Sequence, residues 1–222
     1  MKENNTPIKD INKLYQAAAP PLQNAVENAL HVASKPLRGA VLSRVLSDIV
    51  VVVQESEKRF LDRAASYSSG IDVFLSLLEE SEYVRKSLAS DPLGLSRVRG
   101  LRMKHEMLKE EGGVVSSSQA SELLGITRQA VEKRRKQGRL LAVSLARRGY
   151  YYPLWQFGEK GIIEGFEAVM KILTEQDPWM IMIFFLNENS RLGKRKPLDE
   201  IRLGHLGAVL RAAEATREQG AY

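Results

Sequence analysis

The sequence predicts a mainly α-helical protein with a helical N-terminal domain, a two-helix unit followed by a short β-hairpin, and a small C-terminal helical module. Three observations support this fold class. Apolar residues recur at the i, i+3, i+4 spacing of a buried helix face along most of the 222 residues. Cap-type residues followed by proline, at Asp91-Pro92 and Asp177-Pro178, mark helix starts. Residues with β propensity cluster between positions 140 and 152.

The first 112 residues are predicted to form an arm and a helical domain. Residues 1–19 are polar and then Ala-rich, so we expect a flexible arm. Residues 20–112 form the helical domain, a candidate for dimerisation, with helices near 20–33, 37–54, 71–89 and 93–110. We interpret the run Val50 to Val53 as buried helix, whereas residues 55–63 either extend that helix or form a separate turn.

Residues 113–158 begin with a short helix. Ser117 and Ser118 are cap-type residues placed just before it. Ala120, Leu123 and Leu124 then recur at the spacing of one buried face.

A glycine turn and a second, basic helix follow. Gly125 breaks the first helix because a tight turn needs a residue that tolerates positive φ. Thr127 can cap the second helix, residues 128–137, which buries little beyond Ala130 and Val131. A short helix, a Gly turn and a basic second helix make a helix-turn-helix, whose second helix fits the major groove of DNA.

A β-hairpin is predicted directly after this helix. Gly138 ends the helix, residues 140–145 read as one strand and residues 150–152 as another. The turn between them carries Arg147 and Arg148, which would lie against a phosphate backbone or in the minor groove. The hairpin therefore makes residues 113–158 a winged helix-turn-helix domain.

The charge pattern favours double-stranded DNA as a partner. The net charge is +6 and the pI is about 9.5, and between Arg128 and Arg148 the one acid is Glu132. Arg128, Gln129 and Lys133 would read base edges, while the other basic side chains would hold phosphates. The predicted DNA-binding residues are Ser118, Thr127, Arg128, Gln129, Lys133, Arg134, Arg135, Lys136, Arg139, Arg147 and Arg148. The alternative is a surface helical hairpin whose charges are only solvated.

This stretch resembles the winged helix-turn-helix of the MerR and excisionase-like DNA-binding families. The residues that carry the resemblance are Gln119 to Val131, Gly138 to Leu141, and Arg148 to Tyr150. Modules of this size usually act as dimers on two half-sites, so we expect a homodimer.

Residues 159–222 are predicted to form the C-terminal module. Helices are expected over residues 162–173, 179–186, 197–201 and 206–218, and the second of these is apolar on nearly all sides. This order of parts resembles the toxin-binding domain of the Xre/MbcA/ParS antitoxin family. The resemblance is carried by Trp179, Phe185 to Asn187, Asn189, Leu192, Gly193, Pro197, Leu198, Ile201, Gly204 and Val209.

The resemblance implies an antitoxin that represses its own operon and neutralises a partner toxin, commonly one that consumes NAD. It also implies that the segment from Arg211 to Tyr222 reaches toward the active site of the toxin. Trp179 and Phe185 would be anchors for the partner or the core beneath it. The predicted partner-binding residues are Trp179, Phe185, Asn189, Arg195, Arg211 and Tyr222.

Other functions find less support in the sequence. The chain has no Cys, and its three His residues are isolated, so we expect neither an enzyme nor a metal or cofactor site. The polar start and the short apolar runs predict a cytoplasmic protein without a membrane span. Two alternatives stay open: a toxin-neutralising interaction module with DNA binding secondary, and a plain regulator that senses a ligand.

Overall fold

The computed structural model describes residues 8–145, 149–159 and 161–219, and it confirms a mainly α-helical fold with short β elements. The chain divides into two compact units, with the division between Val98 and Arg99. The predicted domain limits at residues 112 and 158 are finer than this division and stay predictions.

The first unit consists of consecutive helices. One of them lies where the sequence predicts a flexible arm, so the described part of that arm is a helix. The helices are α1 Ile8–Ala17, α2 Pro20–Ala33, α3 Pro36–Glu55, α4 Lys58–Ala65, α5 Gly70–Glu80 and α6 Glu82–Ser87. Helix α7, Gly94–Met107, contains the division between the units.

Two helix ends in the first unit differ from the sequence prediction. The charged segment after α3 is a separate helix, because Ser56 takes an extended conformation and ends α3. The predicted helix over residues 71–89 is divided at Ser81, whose hydroxyl accepts a hydrogen bond from Val84 N at 3.3 Å and starts α6. Within the run predicted as buried helix, only Val52 is buried, whereas Val50 and Val53 are exposed.

The second unit contains the short strands and the remaining helices. In chain order these are β1 Val114–Ser116, α8 Ser117–Leu124, α9 Arg128–Lys136, β2 Val143–Ser144, β3 Tyr150–Pro153, β4 Phe157–Gly158, β5 Gly161–Ile162, α10 Phe166–Ile172, α11 Pro178–Leu186, α12 Pro197–Arg202 and α13 Leu206–Gln219. Among the described residues, no helix has both the length and the apolar character needed to cross a membrane.

The predicted hairpin belongs to a three-stranded antiparallel sheet with the order β1-β3-β2. Strand β1, which the sequence did not predict, pairs with the wing strand β3 and places Val115 opposite Tyr152. The strand predicted over residues 140–145 is shorter, because the backbone of Leu141 bonds to the Gln156 side chain and not to a strand, and the ladder begins at Val143. The wing is therefore tied to the residues that precede the helix-turn-helix.

The wing and the C-terminal helices share one hydrophobic core. Leu141 and Val143 belong to the same buried cluster as Phe166 and Phe185. Trp155 is buried in this cluster, and its ring centroid lies 5.9 Å from that of Phe166 and 5.2 Å from that of Phe185. This aromatic group fixes the helix-turn-helix on the C-terminal helices.

Candidate nucleic-acid interface

The first helix of the helix-turn-helix, α8, is capped one residue earlier than predicted. Ser116 is the cap, whereas Ser117 and Ser118 lie inside the helix. The Ser116 hydroxyl accepts a hydrogen bond from Gln119 N at 3.3 Å, and the Gln119 carboxamide oxygen accepts one from Ser116 N at 2.9 Å. This reciprocal capping box satisfies two N–H groups that a helix start leaves free.

The turn and the second cap form as predicted. Gly125 has a φ of 62°, the left-handed conformation that favours glycine. The Thr127 hydroxyl accepts a hydrogen bond from Ala130 N at 3.2 Å and starts α9. The second helix of the helix-turn-helix therefore begins where the sequence predicts it, at Arg128.

A small separate core holds the two helices together. Ala120 and Val131 are completely buried, together with Leu140 and Tyr152. Leu123, predicted on the buried face, is 50% exposed. Because each residue turns the helix by about 100°, Leu123 lies on the side of Ala120 that faces away from Leu124, and that side is open to solvent.

The outer surface of α9 carries the predicted base-reading side chains. Arg128, Gln129 and Lys133 are all exposed. Arg128 Nη2 donates a hydrogen bond of 2.5 Å to Ser118 Oγ, which links the start of α9 to α8. Within the described part of the chain, neither Arg128 nor Lys133 has an acidic partner. These cations are therefore available to a polyanion.

Glu132 organises the other basic side chains of the helix. Its carboxylate accepts hydrogen bonds from Arg135 at 2.8 and 2.6 Å and lies 3.8 Å from Lys136 Nζ. The hydrogen bond from Arg135 lowers the pKa of Glu132 and raises that of Arg135. Arg135 also lies 3.7 Å from the centroid of the Tyr150 ring, so it is held between α9 and the wing.

The predicted roles of Arg135 and Arg139 as phosphate contacts meet competing partners. Arg135 is occupied by Glu132 and Tyr150. Arg139 Nε donates a hydrogen bond of 2.9 Å to Glu167 at the start of α10. Each would have to share its charge with a phosphate, whereas Lys136 stays exposed. The sequence shows that Glu132 lies three residues before Arg135 and that Glu167 lies on a later helix. It does not show that these acids pair with Arg135 and Arg139.

Arg134 and the hairpin tip complete the predicted set. Arg134 is half-buried and borders a surface depression next to Leu124 and Ile162, so it faces away from the exposed side of α9. Arg147 and Arg148 lie outside the described residues. Their place at the tip of the wing stays a prediction.

Gln156 is a supporting residue that the sequence did not single out. It is completely buried, and its amide donates hydrogen bonds to Leu141 O and Pro153 O at 2.9 and 3.0 Å while its oxygen accepts one from Leu141 N at 2.9 Å. The Gln156 side chain therefore takes the place of a neighbouring strand and satisfies the backbone groups of Leu141, just before the strand pairing begins at Val143. A polar residue between Trp155 and Phe157 was the available signal for this role.

The predicted partner-binding residues of the C-terminal module divide into core and surface. Phe185 is completely buried, so the structure places it in the supporting core. Trp179 is half-exposed at the start of α11, with Lys104 Nζ 4.9 Å from its ring centroid. Arg211 is exposed on α13, and Tyr222 lies outside the described residues.

Asn189 and Arg195 shape a turn between α11 and α12. Asn189 Oδ1 accepts a hydrogen bond from Arg191 N at 2.9 Å, and Asn189 N donates one to Arg195 O at 3.1 Å. Arg195 Nη1 lies 3.0 Å from Glu200, whose buried carboxylate also lies 3.0 Å from His205 Nδ1. Both predicted residues therefore have structural partners within the chain.

No cluster of three or more metal-ligating His, Asp or Glu side chains occurs in residues 8–145, 149–159 and 161–219. In the C-terminal module, the side chain of His205 contacts one carboxylate among the described residues, that of Glu200.

Comparisons with known proteins give one structural similarity. Neither a protein-family model nor a curated protein matches the chain. The NMR structure of Rv2175c is similar to 50% of this chain over 84% of its own length, with 22% sequence identity and a TM-score of 0.42.

Proposed function

We propose that this chain is a sequence-specific DNA-binding transcriptional regulator of the antitoxin type, which represses its own operon as a homodimer and binds a partner toxin. The observation that carries the DNA-binding part is the exposed outer surface of α9. It presents Arg128, Gln129 and Lys133 without acidic partners among the described residues. A capped helix that shows these side chains beside a wing suits the major groove.

In this proposal the start of α9 reads base edges. Arg pairs bidentately with guanine and Gln with adenine in the major groove. The hydrogen bond from Arg128 to Ser118 restricts the guanidinium to the groove-facing end of the helix. Lys136, with Arg139 and the wing-tip residues Arg147 and Arg148, would contact phosphates and fix the register of the protein on the duplex.

Selection of binding sites from random DNA, followed by titrations of the best site and a scrambled site, tests this function. We expect log K to fall linearly with log salt concentration, because phosphate contacts release counterions. Lys133→Ala should weaken binding to the selected site more than to the scrambled one. Glu188→Ala, an exposed change outside the proposed interface, is the matched control. Recovery of no preferred sequence would contradict the proposal.

The toxin-binding part of the proposal is supported by surface residues of the C-terminal module. Trp179 is half-exposed at the start of α11, a helix whose other large side chains are mostly buried, and Arg211 is exposed on α13. Coexpression with the neighbouring reading frame tests it. If the product of that frame copurifies with the wild-type chain but not with Trp179→Ala, the result supports toxin binding through this surface. If the product does not copurify with the wild-type chain, the result contradicts the toxin-binding part of the proposal. The proposal assigns the chain no catalytic activity.

One observation favours the alternative of a ligand-sensing regulator. A cavity of about 400 Å³ in the first unit is lined mainly by apolar side chains of α3, α5 and α6, including Ile49, Phe74 and Leu77. A small apolar effector would suit this lining. A thermal-shift screen of apolar metabolites tests this alternative. A true effector should raise the melting temperature of the wild-type protein but not that of Leu77→Trp, in which the larger side chain would fill the cavity.

A further inference from the structure

The first unit leaves much apolar surface uncovered. Among its described residues, four apolar side chains are buried (Val52, Ala64, Leu75 and Leu77), whereas fifteen large ones are exposed. Scattered exposed apolar residues are ordinary, but contiguous ones mark contact surfaces. Helix α3 carries six of them over 20 residues, and two of these, Leu37 and Val41, lie on the face described next. This helix is therefore the first place to look for a covering partner.

One face of α3 has the spacing of a helix-to-helix seam. Its residues are four, three, four, three and four positions apart, which keeps them in line along a helix of about 30 Å. Leu37 and Val41 are 80% and 58% exposed. The full set is Leu37, Val41, Arg44, Asp48, Val51 and Glu55, and all except the half-buried Val51 are exposed. We refer to this set as the α3 seam.

The four central residues of the α3 seam are complementary to themselves when a second copy runs in the opposite direction, whereas the ends of the seam place Leu37 beside the partner's Glu55. A two-fold axis at the middle of the helix brings Val41 against the partner's Val51 and Arg44 against the partner's Asp48. The same register repeats each contact on the other side of the axis. An isologous interface requires this kind of self-complementarity.

The charges of α3 select this direction. The half of the helix before Leu46 contains Arg38 and Arg44 and no acid, whereas the other half contains Asp48 and Glu55 and no base. A parallel pair would therefore place like charges together, and an antiparallel pair places opposite charges together.

The two charged side chains at the centre of the seam can make these contacts. Arg44 has no ion pair within the described residues, although Asp48 is one turn away. Asp48 accepts a hydrogen bond of 2.8 Å from the Tyr83 hydroxyl and keeps further lone pairs for a cation.

We infer that two copies of this chain pair antiparallel through the α3 seam, with reciprocal Arg44–Asp48 contacts across the interface. The seam lies outside the proposed DNA-contacting residues. The inference rests on the homodimer of the proposed function and assigns its interface. Its test uses the protein without DNA, so failure of this interface and failure of sequence-specific DNA binding are separate results.

Two matched substitutions in the full chain test the position of the interface. Val41→Asp places a charge in the seam, whereas Val50→Asp places the same charge nine residues later, on the opposite side of the same helix. Both valines are exposed, at 58% and 51%. Light scattering during size exclusion at micromolar concentration should show dimers for the wild type and Val50→Asp and monomers for Val41→Asp. A monomeric wild type, or dissociation by Val50→Asp alone, overturns the inference.

A charge-reversal mixture tests the direction. Arg44→Glu and Asp48→Arg should each raise the dimer dissociation constant by about tenfold or more, because each places two like-charged pairs across its own interface. Mixing the two variants should restore dimers of one copy of each, since every cross-interface pair is then attractive. If Arg44 paired only with Asp48 of its own helix, mixing the two variants would not restore the dimer. Circular dichroism checks that both variants keep their helices, and folded variants whose mixture shows no gain in dimer overturn the inference.

Discussion

The guanidinium of Arg135 lies 3.7 Å from the centroid of the Tyr150 ring, which joins helix α9 to the central strand of the sheet, β3. Glu132 holds the same guanidinium from the helix side through two hydrogen bonds. Arg135 was predicted as a phosphate contact, but these partners give it a structural role: it sets the angle between helix and wing.

We therefore expect replacement of Arg135 to affect the stability of the protein more than its affinity for DNA. We expect Arg135→Ala to lower the free energy of unfolding by about 1–2 kcal/mol, from loss of the cation–π contact and its hydrogen bonds. Arg135→Lys should recover part of the loss, because Lys keeps the charge but not the planar group. Urea denaturation measures both. Lys136→Ala, more exposed on the same helix, is the control, and equal stability of the two alanine variants would refute this role.

Arg128 should contribute to sequence choice. We expect Arg128→Ala to cost about 1–3 kcal/mol on the selected site and to relax the preference at one base position. Arg148→Ala should weaken all sequences alike and lower the salt slope by about one. Fluorescence anisotropy on selected and scrambled duplexes separates the two effects. Equal losses on both duplexes for Arg128→Ala would exclude base reading by this residue.

Glu132 should add to stability above its ordinary titration range. Arg135 lowers the pKa of Glu132 in the folded protein. The stabilisation is therefore fully present above the pKa of the unfolded chain and is lost as the pH falls through the lower pKa of the folded protein. Urea midpoints from about pH 6 to pH 3 should fall more steeply for the wild type than for Glu132→Gln. Parallel curves would show that this carboxylate does not couple to folding.

Gln156 should be the most sensitive polar residue of the wing. Gln156→Leu removes three hydrogen bonds and leaves backbone groups of Leu141 and Pro153 unpaired in the interior, at a cost of about 3 kcal/mol. Gln156→Glu should also destabilise, because a carboxylate cannot donate to Leu141 O. Gln54→Leu, an exposed change of the same kind, should stay within about 0.5 kcal/mol. Thermal unfolding compares the three variants.

The sequence by itself determined the local features of this protein. The left-handed turn at Gly125, the Thr127 cap and the helix start at Asp177-Pro178 depend on neighbours within a few residues, so their signals are complete in a short segment. The same reason explains why helix α9 and the order of the C-terminal helices could be predicted. The cap at Ser116 was missed by one residue because three successive serines offer equivalent hydroxyls.

Only the tertiary structure decided which side chains meet. Pairing of β1 with β3 joins residues about 40 positions apart, and neither strand carries a signal for the other. Arg139 finds Glu167 on a distant helix, Phe185 enters the core, and Leu123 faces solvent. Burial and ion pairing depend on what packs against each face, so a sequence shows that a cation is present but not whether a neighbouring acid or aromatic ring already holds it.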